Sequence, residues 1–329
     1  MKAAWYDRQG QAADVLRVGE VADPSPGPGE VRVRLRYSGV NPGDVKKRQG
    51  WLGSPMPFPR VIPHSDGSGV IDAVGSGVDR ARLGRRVWVY GAQSYRPFGT
   101  AAEATVVPDR LAIDLPASVT DQLGATLGIP GITAHRAVFA DGPVAGRTVL
   151  VHGVLGGGGS IAAALAAWGG ATVIGTVRGM AELDRIDRNA VRHAVPSIRP
   201  SRRRRFGPRP PMVWIASSRW LCRQTWTSTR IGAPGQCHRR LLQPPQSATD
   251  PVLAAAVRQR HPATTRQRRL PDGAKQQAAQ DLTVVAAARR LDFPIAPAYP
   301  FDQIAEAHEA VEAGARGGRV LVALQPLAG

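Results

Sequence analysis

Short runs in which apolar residues are broken by polar ones, each ended by Gly, Pro or Asp, fill the first part of the chain: VRVRLRYSGV (31–40), VIDAVGS (70–76), GRRVWVYG (84–91) and TAAEATVVP (100–108). Such runs predict β-strands and a β-rich region from residue 1 to about 120. From residue 148 the pattern changes to a buried strand, TVLVHG (148–153), a glycine cluster, a small-residue helix, SIAAALAAWGG (160–170), and a second strand, ATVIGTV (171–177). That order is a βαβ unit. Near the C-terminus, residues 274–290 predict an Ala/Gln-rich helix, and FDQIAEAHEAVEAG (301–314) predicts another with Phe301, Ile304, Ala305 and Val311 on its apolar face. RVLVAL (319–324) suits a closing strand.

A length of 329 residues suggests two domains, and 43% hydrophobic with 5% aromatic residues is a globular composition. No apolar run reaches the roughly 18 to 20 residues of a membrane span. Asp7 and Arg8 stand where a signal peptide needs apolar residues, so we expect a cytoplasmic protein. Cys222 and Cys237 are too few for a disulfide framework or a four-cysteine zinc site, so any redox chemistry must come from a bound cofactor. The net charge of +18 would ordinarily suggest a nucleic acid or anionic surface as partner. The excess belongs to one block: residues 198–270 hold 16 Arg, no Lys and the single acid Asp250, which leaves +3 for the rest.

Gly153, Gly156 and Gly159 stand three apart where strand meets helix, with Gly157 and Gly158 between them. A dinucleotide pyrophosphate needs bare backbone at that point to reach the free amides of the helix N-terminus. The strand before and the helix after favour this reading over a plain Gly-rich turn. At the end of the second strand Thr176 and Arg178 replace the usual acid, and no carboxylate is present to repel a 2′-phosphate, so NADPH is favoured over NADH. The plainer reading of Arg178 is a solvated loop residue.

Five ordered segments carry a family resemblance: SGVNPGDVKKRQG (38–50), PRVIPHSDGSGVIDAVG (59–75), LGIPGITAHRAV (127–138), VHGVLGGGGS (151–160) and IAEAHEAVEAGARGGRVLV (304–322). Together they resemble the zinc-independent, ζ-crystallin-like quinone oxidoreductases of the medium-chain dehydrogenase/reductase superfamily, over residues 1 to about 196 and 271–329. The resemblance implies an α/β fold: a GroES-like β-rich catalytic domain at 1–122 and 272–329, and a Rossmann doubly wound parallel sheet for NADPH at 123–271. It implies hydride transfer from the C4 of NADPH to a quinone or similar electron-poor acceptor, with an enoyl reductase acting on activated C=C bonds as the neighbouring alternative. Relatives are commonly dimers or tetramers, so a homodimer is an open possibility.

By position, the resemblance places Asn41 and Thr133 near the nicotinamide, Asp44 at the cleft edge, and Arg319 near the cofactor phosphates; Asn41 has a second reading as a turn residue before Pro42. Zinc-dependent relatives carry a cysteine ligand where Asn41 stands and a His-Glu pair where Ser65 and Asp66 stand, so no metal is expected. His64, one position off the ligand slot, reads as a loop or core-edge residue, and His135, His152 and His308 as packing residues. Two positions depart from the family. Lys46 replaces a frequent Tyr, and Gly158 replaces a small apolar residue.

Residues 198–270 should supply the later strands, yet 9 Pro and 16 Arg predict loop or disorder. One explanation is a basic nucleic-acid-binding insert, which makes a nucleic-acid-binding protein the reading from a different class. It does not account for the length, because the flanking segments lie about as far apart as in an uninterrupted relative. The genetic code offers another. MVWIASSRW (212–220), read one base earlier, permits DGVDRIVEV, and DPVLAAAVRQRHPATTRQRRLP (250–271), read one base later, permits IPFWPLLFANVTLRLLGSDDFP. Three single-base shifts in one direction, near 196–200, 242–250 and 270–273, would then have scrambled an ordinary gene. On that reading no specific nucleic-acid partner is expected, and the chain as written should fold poorly or lack activity.

Overall fold

The computed structural model describes residues 1–94, 96–197, 212–215 as backbone, 270–314 and 318–325. In chain order the elements are β1 (Lys2–Trp5), α1 (Ala12–Val15), β2 (Arg17–Glu20), β3 (Glu30–Gly39), α2 (Pro42–Arg48), β4 (Asp66–Val74), β5 (Arg86–Val89), β6 (Ala104–Pro108), β7 (Ala112–Asp114) and α3 (Asp121–Gly124). They continue with α4 (Ile129–Phe139), β8 (Thr148–Val151), α5 (Gly157–Trp168), β9 (Thr172–Val177), β10 (His193–Pro196), β11 (Met212–Ile215), α6 (Asp272–Ala287), α7 (Ile304–Glu312) and β12 (Leu321–Ala323). The chain divides into two compact units: Met1–Ile132 with Ala279–Arg289 and Pro294–Gly329, and Thr133–Ala278 with Arg290–Phe293.

The first unit is built on β3. Its alternation puts Val31, Val33 and Leu35 into the core and Arg32, Arg34 and Arg36 outward, where Arg32 and Arg34 pair with Asp72 and Arg36 with Asp121. The six-stranded sheet runs β12-β3-β4-β5-β7, and β6 also pairs with β3. One strand serves three partners because β6 takes Glu30–Arg34, β12 takes Tyr37–Gly39 on the same side, and β4 runs antiparallel along the other. The closing strand expected from RVLVAL (319–324) is present and confined to Leu321–Ala323. In α7 the buried face is Ile304, Ala307, His308 and Val311. Phe301 belongs to a preceding 3-10 turn and Ala305 is only partly buried, so a histidine takes the place on the stripe that sequence alone gives to an alanine.

The second unit holds a four-stranded parallel sheet of order β10-β9-β8-β11, with α5 crossing from β8 to β9. Ile161 and Leu165 of α5 are fully buried, each contributing about 1.5–3 kcal/mol by leaving water. The order is that of the first half of a doubly wound sheet. Composition predicts loop or disorder for the Arg/Pro-rich block, yet Met212–Ile215 pairs in parallel with Thr148–Val151, on the side of β8 away from β9. Backbone pairing against a buried strand overrides the surrounding composition there. The expectations for 198–211 and 216–269, the base shifts among them, lie outside the described residues. No described helix is long and apolar enough to cross a membrane.

Candidate functional site

Asn41 lies between β3 and α2 with extended backbone, as a residue before proline must. Its N–H donates to Oδ2 of Asp44, at 2.8 Å, and thereby caps the helix. The turn role and a site role are compatible here because the backbone makes the cap while the side chain bonds elsewhere. Asn41 Nδ2 donates to Asp66 Oδ2 at 2.7 Å, and Arg319 Nη2 donates to Asn41 Oδ1 at 2.8 Å. A guanidinium can only donate, so these two bonds settle which end of the amide is oxygen.

Asp66 opens β4 and is fully buried. Besides Asn41 it accepts the N–H of Ile129, the first residue of α4, at 2.9 Å to each carboxylate oxygen. This contact requires glycine at position 128: a Cβ there would lie 2.1 Å from Asp66 Oδ1. Burial, reinforced by the nearby charge of Asp44, pushes Asp66 up to about 7 against the pull of Ile129 N–H, the Asn41 amide and Arg319. Burial likewise pushes Asp44 up to about 6, opposed by Lys47 and the Asn41 bonds. Burial holds Arg319 below its ordinary value, and Asp66 and Asp44 resist that shift. Arg319 Nε is buried with no hydrogen-bond partner among the described residues, a donor left open in the site.

In the second unit Gly153 follows β8 at φ 67°, a left-handed conformation that suits glycine. Gly156 caps α5 without a side-chain bond, and Gly157 is the first helical residue. A Cβ on Gly159 would stand 2.1 Å from the Gly153 carbonyl oxygen, so the helix begins in direct contact with the loop's backbone. Thr176 is turned inward: its Oγ1 accepts the Gly153 N–H at 3.1 Å and meets His152 Nδ1 at 3.2 Å, which makes it a pin for the glycine loop. Arg178 is exposed, and its guanidinium pairs with Glu182 at 2.9 Å while its N–H donates to the same carboxylate. The strand end itself holds no carboxylate beside Arg178, but Glu182, four residues along the chain, supplies one. Thr133 stands exposed on α4 and is counted with the second unit.

Residues 27–117 match the family described as alcohol dehydrogenase GroES-like domain. That stretch of the chain is similar to a GroES-like domain. Quinone oxidoreductase of Rattus norvegicus is 35% identical over 167 residues, 50% of this chain and 49% of that protein. The human synaptic vesicle membrane protein VAT-1 homolog is 37% identical over 145 residues, 44% of this chain and 35% of that protein. The chain spans about half the length, or less, of these curated relatives.

Among solved structures, the quinone oxidoreductase from Coxiella burnetii covers 99% of both chains with TM-score 0.71 at 20% identity. A mycobacterial protein solved with NADPH covers 99% of this chain and 100% of its own with TM-score 0.68 at 23% identity. These likenesses show the fold, one GroES-like unit and one Rossmann-like unit, and the quinone oxidoreductases are among the proteins this chain resembles.

The GroES-like domain contributes Asn41, Asp44 and Asp66, and Arg319 joins them from the C-terminal segment of the same unit. In sequence Asp66 stands out only as a departure from a zinc ligand pair. The signal that could have found its role is the invasion of its space by any side chain at position 128, visible in sequence only as the glycine of LGIPG. His64, read as a loop or core-edge residue, is fully buried, because it sits between Ser38 and His308.

Proposed function

We propose that this chain is a zinc-independent, NADPH-dependent oxidoreductase that passes hydride to a quinone or similar electron-poor acceptor. The observation that carries the reading is the glycine cradle, where Gly153 and Gly159 bring strand and helix so close that no side chain fits between them. That arrangement leaves the first amides of α5 for a pyrophosphate. Bound there, the dinucleotide would supply the hydride. Gly153, Gly156, Gly157 and Gly159 are the residues that would hold its phosphates, with Thr176 holding the loop and Arg178, which here pairs with Glu182, as the partner of a 2′-phosphate once it leaves that carboxylate.

On the GroES-like side, Asn41 presents an amide fixed by Asp66 and Arg319, and the open Nε–H of Arg319 can donate to an anionic or carbonyl oxygen of a ligand. Asp44 holds the backbone of Asn41, and Thr133, an exposed hydroxyl of the second unit, is kept as a candidate beside the nicotinamide. Arg319 supplies the positive charge at this point, which supports a site that works without zinc. A small-molecule acceptor and a cytoplasmic setting complete the reading, with a homodimer left to solution measurement.

The test is consumption of NADPH, followed by its absorbance, with a simple quinone and with an activated enone. It is run on the written chain and on a chain whose 198–270 region is restored to the offset reading. Quinone-dependent oxidation by the restored chain is expected. Oxidation by neither would overturn the function, and full activity of the written chain would overturn the base-shift reading.

Arg178 also carries a cofactor-choice prediction. Arg178→Ala should weaken NADPH binding about tenfold, equivalent to about 1.4 kcal/mol, and leave NADH unchanged. Glu182→Gln should tighten NADPH binding severalfold by freeing that guanidinium. Titration of both nucleotides by nicotinamide fluorescence reads the two effects.

A further inference from the structure

Behind the candidate site lies a row of buried polar side chains that the proposed reaction does not use. Arg48, His308, His64, Ser38 and Thr100 are all fully buried in the first unit. Arg48 Nε approaches His308 Nδ1 at 3.4 Å, His308 Nε2 meets His64 Nε2 at 2.9 Å, and His64 Nδ1 meets Ser38 Oγ at 2.8 Å. Ser38 Oγ meets Thr100 Oγ1 at 2.8 Å, and Thr100 Oγ1 donates to the backbone carbonyl of Asp66 at 2.7 Å.

Only one distribution of protons satisfies every bond in the row. A carbonyl can only accept, so the Thr100 hydrogen goes to Asp66 and Thr100 must accept from Ser38. Ser38 has then spent its hydrogen and must accept from His64 Nδ1–H. A neutral imidazole has one N–H, so His64 Nε2 is bare and accepts from His308 Nε2–H. His308 Nδ1 is bare in turn. The other end demands the same result: Arg48 can only donate, and what it meets is His308 Nδ1. Burial keeps both rings neutral, pushing His64 down to about 3 and His308 well below its ordinary value.

The row is also anchored. Arg48 donates to the Gly10 carbonyl and pairs with Glu312. His64 is held at φ 71°, a left-handed conformation that a non-glycine residue keeps only where its surroundings enforce it. Its own carbonyl accepts the Thr100 N–H at 3.1 Å, which closes the loop around Asp66.

We propose that His308 and His64 are positioning residues for the candidate site, a neutral pair of fixed and opposite tautomers in a one-way row of hydrogen bonds from Arg48 to the Asp66 carbonyl. The row sets where β4 begins, and therefore where the Asp66 carboxylate meets Asn41 and Ile129. The functional importance of this position rests on the reading of Asn41 as a site residue. The arrangement itself is tested without turnover, so failure of hydride transfer would not touch it.

The experiment uses the full chain, written and restored, with 15N-labelled histidine and 13C-labelled aspartate. At neutral pH, long-range proton–nitrogen correlations should show His64 protonated only on Nδ1 and His308 only on Nε2. His308→Leu should leave His64 protonated on Nδ1 but strip its bare Nε2 of a donor, shifting that nitrogen's resonance, and move the Asp66 carboxyl midpoint by at least about half a pH unit. His308→Gln, which can still accept from Arg48 and donate to His64, should restore both. The reverse tautomers, or a charged ring, in the unaltered chain overturns the proposal even if His308→Leu does not fold. So does a folded His64→Leu/His308→Leu variant whose Asp66 midpoint is unmoved, because the pair would then be packing alone.

Discussion

Gly159→Val is expected to abolish dinucleotide binding, raising the NADPH dissociation constant by more than about 100-fold, or about 2.7 kcal/mol. The Cβ alone would lie 2.1 Å from the Gly153 oxygen, 2.8 Å from its carbonyl carbon and 3.3 Å from the His152 oxygen. All three are backbone atoms, so relief requires α5 to move off β8 or Gly153 to leave its left-handed conformation. Either movement displaces the amides that would meet the pyrophosphate, and the overpacking costs roughly 1–3 kcal/mol of stability besides. Calorimetric titration of the restored chain measures the binding. Binding within tenfold of the unaltered chain would show that the phosphates lie elsewhere.

Asp66→Ala should produce the largest loss in the GroES-like unit. It leaves the Asn41 amide and the Ile129 N–H as buried donors without an acceptor, at about 1–3 kcal/mol each, and takes a counter-charge from Arg319. A loss of roughly 3 kcal/mol, or about 6–12 °C in melting temperature, is expected near neutral pH. Turnover should fall by about 100-fold, since a freed Asn41 amide no longer holds one orientation.

The loss should also depend on pH. Asp66 titrates near 7 in the folded chain, above its unfolded value, so its contribution is full in acid and declines as pH rises through about 7. Between about 4, where the unfolded carboxyl titrates, and about 7, the stability gap between the unaltered chain and Asp66→Ala should narrow by up to about 1.4 kcal/mol per pH unit, and above about 7 it should level off. Thermal melts between pH 5 and pH 8.5 read this directly. A gap that stays level from pH 5 upward would mean that Asp66 is charged throughout.

What sequence made legible was whatever is local. The alternation in β3, the small-residue run of α5 and the glycines between β8 and α5 each state their structure within about a dozen residues, and these define the two domains. Thr176 was placed correctly on β9, but the direction of its hydroxyl depends on a backbone N–H 23 residues earlier, and a phosphate role and a loop-pinning role look alike in sequence. His64 and His308 stand 244 residues apart, so neither gives any sign of the other, and each alone reads as a packing residue. Strand β11 was hidden for a different reason. Its four residues are surrounded by arginine and proline, and its evidence is the register with β8, which no composition records.

The pairing of β12 with Tyr37–Gly39 has a consequence for synthesis on the ribosome. β3 is among the earliest parts of the GroES-like unit to emerge, yet its last edge partner is not translated until Ala323. The intervening Rossmann-like segment therefore has the opportunity to form while the first unit waits with one stretch of strand edge unfilled. Such an edge invites pairing with other chains. Stalled or prematurely ended translation products should accordingly be sticky, and adding the missing strand as a separate peptide should reduce their association.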